Sequence, residues 1–201
     1  LLQDVALDGL HVVLGVDRAG LVGADGETHH GCFDALYLSQ VPHMTVLCPA
    51  SFAELRQMLR RAVLELTGPV AVRYPRGCEG AYQDCCGNET FTQVRPGADC
   101  TILTYGVLIN EALAAAELLH EAGVETRVVK LNAIAPLDGN AVLAALGSEK
   151  RLLVLEDCVG SGCVGQRLTA ILAQRGRMPE RLILKNLGDT IPCHGTVPQL
   201  Y

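Results

Sequence analysis

The run His11-Val-Val-Leu-Gly-Val16 and the loop that follows it, Asp17-Arg-Ala-Gly-Leu-Val-Gly-Ala-Asp-Gly-Glu-Thr-His-His-Gly-Cys-Phe-Asp34, decide the fold. The first part is almost unbroken apolar sequence of strand length, the pattern of a parallel strand buried on both faces. The second part gathers Arg18, His29, His30, aspartates and glycines between that run and an amphipathic one. Such a composition suits a site, not a core. A polar loop leaving the carboxyl end of a buried strand lies on the edge where open α/β sheets bind ligands.

Outward from this loop, the pattern alternates. Residues 33–39 predict a short helix, 45–47 a strand and 51–66 an amphipathic helix. Ser51 with Glu54 three residues on forms a capping box, and Gly68-Pro69 ends the helix before a short buried strand over 70–74. The order β-α-β-α-β implies parallel strands joined by right-handed crossovers. Three strands leave faces and edges uncovered, so the rest of this unit is expected upstream of Leu1, whose own stretch reads as the tail of a helix.

From Pro75 to Ala98 the periodicity gives way to Gly, Pro, Asn, Asp and Gln, which reads as a linker with one short strand near Thr90 to Val94. A second unit follows: strand 100–105, helix 108–122, strand 126–131, helix 139–145, strand 151–156, helix 165–175 and strand 182–185. The fold class is α/β, as two domains with mainly parallel sheets at 1–80 and 99–201 joined by a linker at 81–98.

The composition excludes several function classes. With 201 residues, 49% hydrophobic and 19% charged, the chain has the balance of a globular protein. A net charge of -6 with scattered Lys and Arg offers no basic stripe for nucleic acid, and no apolar run reaches a membrane span. The start lacks the basic region and cleavage site of a secretory signal. Nine cysteines, Cys85 and Cys86 adjacent among them, contain no C-x-x-C pair, so zinc is not expected. Cys48 and Cys100 sit inside apolar runs as small hydrophobes, and a reducing cytoplasm is the expected compartment.

Arg18 and Arg76 each lie just past the carboxyl end of a predicted parallel strand. Two converging guanidinium forks beside glycine amides would hold a phosphomonoester. Equally open is that either pairs with Asp17, Asp25 or Asp34 as a packing salt bridge. His29 stands four residues after Asp25 with Gly26 between, so carboxylate and imidazole could serve one ligand in orienting hydroxyls or moving protons. The local alternative makes Asp25 a cap and His29 an exposed first-turn residue. His30 could be a second polar contact or a solvent-facing neighbour, and the second reading is favoured. Gly160-Ser-Gly-Cys-Val-Gly165 matches a dinucleotide fingerprint, but on the third strand of its unit and without the acidic ribose ligand; a helix start packed closely on its strand is favoured. Cys193 and His194 are sequence neighbours, a geometry that rarely makes a nucleophile pair.

Taken together, Asp17 to His29 and Val72-Arg-Tyr-Pro-Arg-Gly77 resemble the carboxyl-terminal part of the 1-deoxy-D-xylulose-5-phosphate synthase family, whose members are transketolase-like. The resemblance extends through Pro42-His-Met-Thr-Val-Leu-Cys-Pro49, Glu54-Leu-Arg-Gln-Met58, Lys130-Leu-Asn-Ala-Ile-Ala-Pro-Leu-Asp138, Leu155-Glu-Asp157 and Leu187-Gly-Asp-Thr-Ile-Pro192, nearly the whole chain. It implies a partial pyrimidine-binding domain followed by a transketolase carboxyl-terminal domain. It also implies an enzyme, only part of which is this chain, that uses thiamine diphosphate and magnesium to join pyruvate, with loss of CO2, to glyceraldehyde 3-phosphate. The product feeds isoprenoid, thiamine and pyridoxal synthesis. By the same resemblance, Arg18 and Arg76 bind the acceptor's phosphate, Asp25 and His29 act at its hydroxyl or aldehyde end as catalytic residues, and the enzyme is a cytoplasmic homodimer.

The family binds diphosphate and metal through a Gly-Asp-Gly motif and activates the coenzyme with a Glu, both upstream of the region matched here. The chain is therefore expected to be a fragment that needs the missing amino-terminal part and is inactive alone. Two departures stand out: His30 where Gln is more usual, and Cys32 for a small Ala. Other hypotheses are a split transketolase small subunit and a non-catalytic α/β dimerisation or metabolite-binding module.

Overall fold

The structure, a computed structural model, describes residues 1–85, 88–147 and 150–201. Cys86 lies outside the described residues. Val13–Val16 (β1), Thr45–Leu47 (β2) and Val70–Arg73 (β3) form a parallel sheet in the order β1-β3-β2. Asp34–Ser39 (α1) and Phe52–Leu64 (α2) connect them, so the predicted β-α-β-α-β order is present. Val70, Ala71 and Val72 are 0% exposed, each buried side chain of this size contributing about 1.5–3 kcal/mol for valine. Met58 and Ala62 on α2 pack against Val70, Val72 and Leu47, one apolar stripe at helical spacing.

β1 departs from the expectation of burial on both faces. Its only strand partner among the described residues is β3, and Gly15 is exposed. An edge strand lacks a second neighbour to cover it. The capping box of α2 also resolves differently. Ser51 Oγ accepts from Glu54 N at 3.0 Å, but the Glu54 carboxylate passes its own cap to accept from Ala50 N at 2.8 Å.

The second sheet runs β4-β6-β5-β8-β9, from Phe91–Arg95 (β4), Cys100–Tyr105 (β5), Thr126–Leu131 (β6), Arg151–Leu155 (β8) and Arg181–Lys185 (β9). All pairs are parallel except β4 with β6. Ile109–Glu121 (α3), Gly139–Leu146 (α4) and Val164–Gln174 (α5) make the crossovers. One strand was not expected from sequence: Ala133–Ala135 (β7) leaves this unit and pairs antiparallel with β2, so the first sheet reads β1-β3-β2-β7. The hydrophobic core is continuous across the seam, with Leu38, Val46 and Ala71 in one cluster with Leu103, Val129 and Ile134.

The stretch read as a linker is anchored. Tyr82 is buried and its hydroxyl donates to Glu54 Oε1 at 2.9 Å, while Lys130 Nζ on β6 lies 3.0 Å from Glu54 Oε2. This buried pair ties α2, the connecting segment and the second sheet at one point.

Candidate functional site

Because β1 and β3 are parallel neighbours with Val16 opposite Arg73, both chains leave the sheet on one edge. Ala19 N donates to Tyr74 O at 3.0 Å, carrying the two strand exits forward together. Gly20 and Gly31 exchange backbone hydrogen bonds of 3.0 and 2.8 Å, closing residues 20–31 into a loop. Arg18 sits at φ 59, a conformation that is costly for a side-chain-bearing residue and is concentrated at functional sites. Gly31 is required there: a Cβ would stand 2.2 Å from Arg18 O.

Three of the four predicted site residues meet. Asp25 ends one 3-10 turn, Gly23–Asp25, and Gly26 at φ 79 leads into the next, Glu27–His29. The Asp25 carboxylate accepts from Arg18 Nε at 2.9 Å and from Arg76 Nη1 on its other oxygen, so it bridges both guanidinium groups. Arg18 also reaches Asp17 at 2.5 Å. Convergence of the arginines and their pairing with carboxylates, weighed as alternatives from sequence, occur together. Asp25 does not cap the next turn. His29 is exposed one turn on, its Nδ1 2.9 Å from Thr28 Oγ1 and its amide donating to Gly26 O at 3.1 Å. His30 turns inward instead of facing solvent: Nδ1 accepts from Val22 N at 3.2 Å and Nε2 is buried.

Hydrogen bonds from Arg76 and then Arg18 hold the Asp25 carboxyl down to about 2. Since this lies below its ordinary 3.8, the pairing is present above that value and is lost as pH falls toward 2. Asp25 is therefore expected to stay ionised at every pH from 5 upward. Carbon-detected NMR titration of Asp25 checks this; a midpoint above pH 4 would contradict it.

Sequence reasoning missed the group that holds this edge to the second sheet. Arg73, wholly buried at the end of β3, donates to Asp34 at 2.9 Å, to Asp157 at 3.0 Å and to Gly31 O at 2.8 Å, and lies 5.6 Å from the Tyr105 ring centre. The signal available was a charge inside an otherwise apolar strand. Gly160–Gly165 follows the close-packing alternative: Glu156 accepts from Val164 N and Gly165 N, both at 2.8 Å, so a carboxylate of this chain occupies the amides of α5. Burial pushes the Cys48 thiol up to about 12 and the Cys163 thiol up to about 11, which keeps both protonated.

A metal centre would need clustered donors, and among the described residues no group of three or more His, Cys, Asp or Glu is arranged to hold one. Among the same residues no helix is long and apolar enough to cross a membrane.

Comparison with known proteins agrees with this architecture. Residues 1–78 match the family model of the transketolase pyrimidine-binding domain, and residues 90–201 match that of the transketolase C-terminal domain. The chain is 36% identical over its whole length to a 1-deoxy-D-xylulose-5-phosphate synthase of Chlorobium phaeovibrioides and 39% identical to one of Thermus thermophilus. It spans 32% of the length of each of these curated relatives. Among solved structures, a split-gene transketolase described as an inactive β4 tetramer superposes with a TM-score of 0.80 at 23% identity, over 94% of this chain and 61% of that one. A transketolase mutant from Pichia stipitis gives 0.73 at 16% identity, over 97% and 28%. At those identities the likeness concerns the fold. With the C-terminal family model covering more than half of its residues and the pyrimidine-binding model most of the remainder, the chain belongs to the transketolase family.

Proposed function

We propose that this chain forms the acceptor side of a 1-deoxy-D-xylulose-5-phosphate synthase, which condenses pyruvate with glyceraldehyde 3-phosphate. The observation that carries the proposal is the convergence of Arg18 and Arg76 on Asp25 at one sheet edge. Two guanidinium forks would hold the acceptor phosphate, with Asp25 and the neighbouring His29 at its hydroxyl and aldehyde end. The whole-length similarity to synthases of that name supports this choice of reaction.

Thiamine diphosphate and magnesium would be held mostly by an amino-terminal part of the same protein, a reading supported by the curated relatives, of whose length this chain spans 32%. The role proposed for this chain is to bind and orient the acceptor, and alone it is expected to be inactive. Residues 1–80 and 99–201 are proposed as the two domains with 81–98 between them, in a cytoplasmic homodimer.

In the full-length protein, Arg18→Ala and Arg76→Ala should each raise KM for glyceraldehyde 3-phosphate by roughly 10- to 150-fold, the loss of one charge-assisted bond of about 1.5–3 kcal/mol. KM for pyruvate should move less than threefold by comparison. Equal effects on both substrates would make the arginines structural.

A further inference from the structure

Segment 193–201 returns from the second sheet to lie across the acceptor loop. Thr196 and Gln199 form a capping box that fixes Val197–Leu200 (α6) as a helical turn. Leu21 N donates to the Tyr201 hydroxyl at 3.3 Å. A carbon added at Gly23 would stand 3.0 Å from both Gly195 O and Val197 N, and one at Gly20 would stand 2.7 Å from the Tyr201 hydroxyl. Both glycines have positive φ, 56 and 74, so the loop takes a shape that admits this close approach.

The same contact brings His194 to the loop. A carbon added at Gly26 would meet the His194 ring at 3.7 Å. Gly26 directly follows Asp25, the carboxylate that bridges both guanidinium groups, and begins the turn that carries His29. The His194 ring is exposed, and its nitrogens make no hydrogen bond among the described residues. An imidazole donates at least one N–H in either of its charge states. A donor beside Gly26 stands next in the chain to the carboxylate on which both guanidinium groups converge.

We propose that His194, supplied by the second sheet's unit, is a further binding residue for a phosphorylated aldose, donating to its phosphate. The proposal rests on Arg18 and Arg76 holding that phosphate. In the full-length protein, His194→Ala should raise KM for glyceraldehyde 3-phosphate about three- to tenfold, the range expected for one lost hydrogen bond. KM for pyruvate should stay within about twofold of the parent, and KM for unphosphorylated glyceraldehyde likewise, because neither presents a phosphate to the ring. His194→Gln, which keeps an N–H donor, should recover most of the loss.

Equal rises for all three substrates, or no rise for the phosphorylated one, would overturn the role of His194. If Arg18→Ala and Arg76→Ala still raise the acceptor KM in that case, the phosphate site itself stands. If the arginine variants leave the acceptor KM unchanged, the phosphate site fails and the His194 proposal fails with it.

Discussion

Arg73→Met is expected to lower the stability of the folded chain by about 3–5 kcal/mol, the usual result of removing one member of a buried ion group. The Arg73 side chain is 2% exposed and serves two carboxylates, Asp34 and Asp157, of which neither is more than 4% exposed. Methionine fills most of the volume but leaves both acids buried without their cation. Burial pushes the Asp34 carboxyl up, and Arg73 is the main group opposing that push. The deficit should therefore shrink at low pH, since a carboxyl whose folded value is raised favours the folded state more as pH falls through it. Thermal unfolding by circular dichroism should show a drop of about 10 °C for a chain of this size. Adding Asp34→Asn and Asp157→Asn should restore part of it, because neutral groups are far cheaper to bury. A shift under about 2 °C would mean that the group is hydrated in solution.

Asp25→Asn should move two readouts in opposite directions. Asparagine has the same shape as aspartate but no charge, so Arg18 and Arg76 lose the anion that now bridges them. Inorganic phosphate should then inhibit the full-length protein about tenfold more strongly, a gain of about 1.4 kcal/mol. Turnover with glyceraldehyde 3-phosphate should nonetheless fall roughly 100-fold, because under the proposed role Asp25 also orients the acceptor's hydroxyl end and misplaced reactants lose about that much. Weaker phosphate inhibition would instead show that Asp25 aligns the arginines for the ligand and does not compete with it.

Much of this was legible in the sequence because periodicity and punctuation agreed. Strands 45–47, 100–105 and 126–131 lie where their apolar runs predict them, and Ser51 caps α2 as its residue type requires. The loop carrying Arg18 and Asp25 could be placed because its strand is followed at once by polar residues and glycines. What escaped had no local signature. β7 has three residues, too few to show a period of two, and its identity as a strand comes wholly from its partner β2. Arg73, Asp34 and Asp157 are a group only in space, 39 and 84 residues apart along the chain. His30 faces inward because Val22 N offers its ring a donor across the closed loop, which no spacing announces. Tyr82 looked like part of a polar connector, yet its hydroxyl is drawn inside by the Glu54 carboxylate.

The pairing of β7 with β2 also bears on how the chain matures. β2 leaves the ribosome well before Ala133–Ala135 does, so during synthesis its outer edge waits uncovered while β3, the connecting segment and three strands of the second sheet emerge. An exposed edge of this kind recruits other strands, and nascent neighbours on the same message are the nearest supply. Completion of the first sheet thus waits for translation of most of the second, and until β7 arrives that edge is open to pairing with other strands.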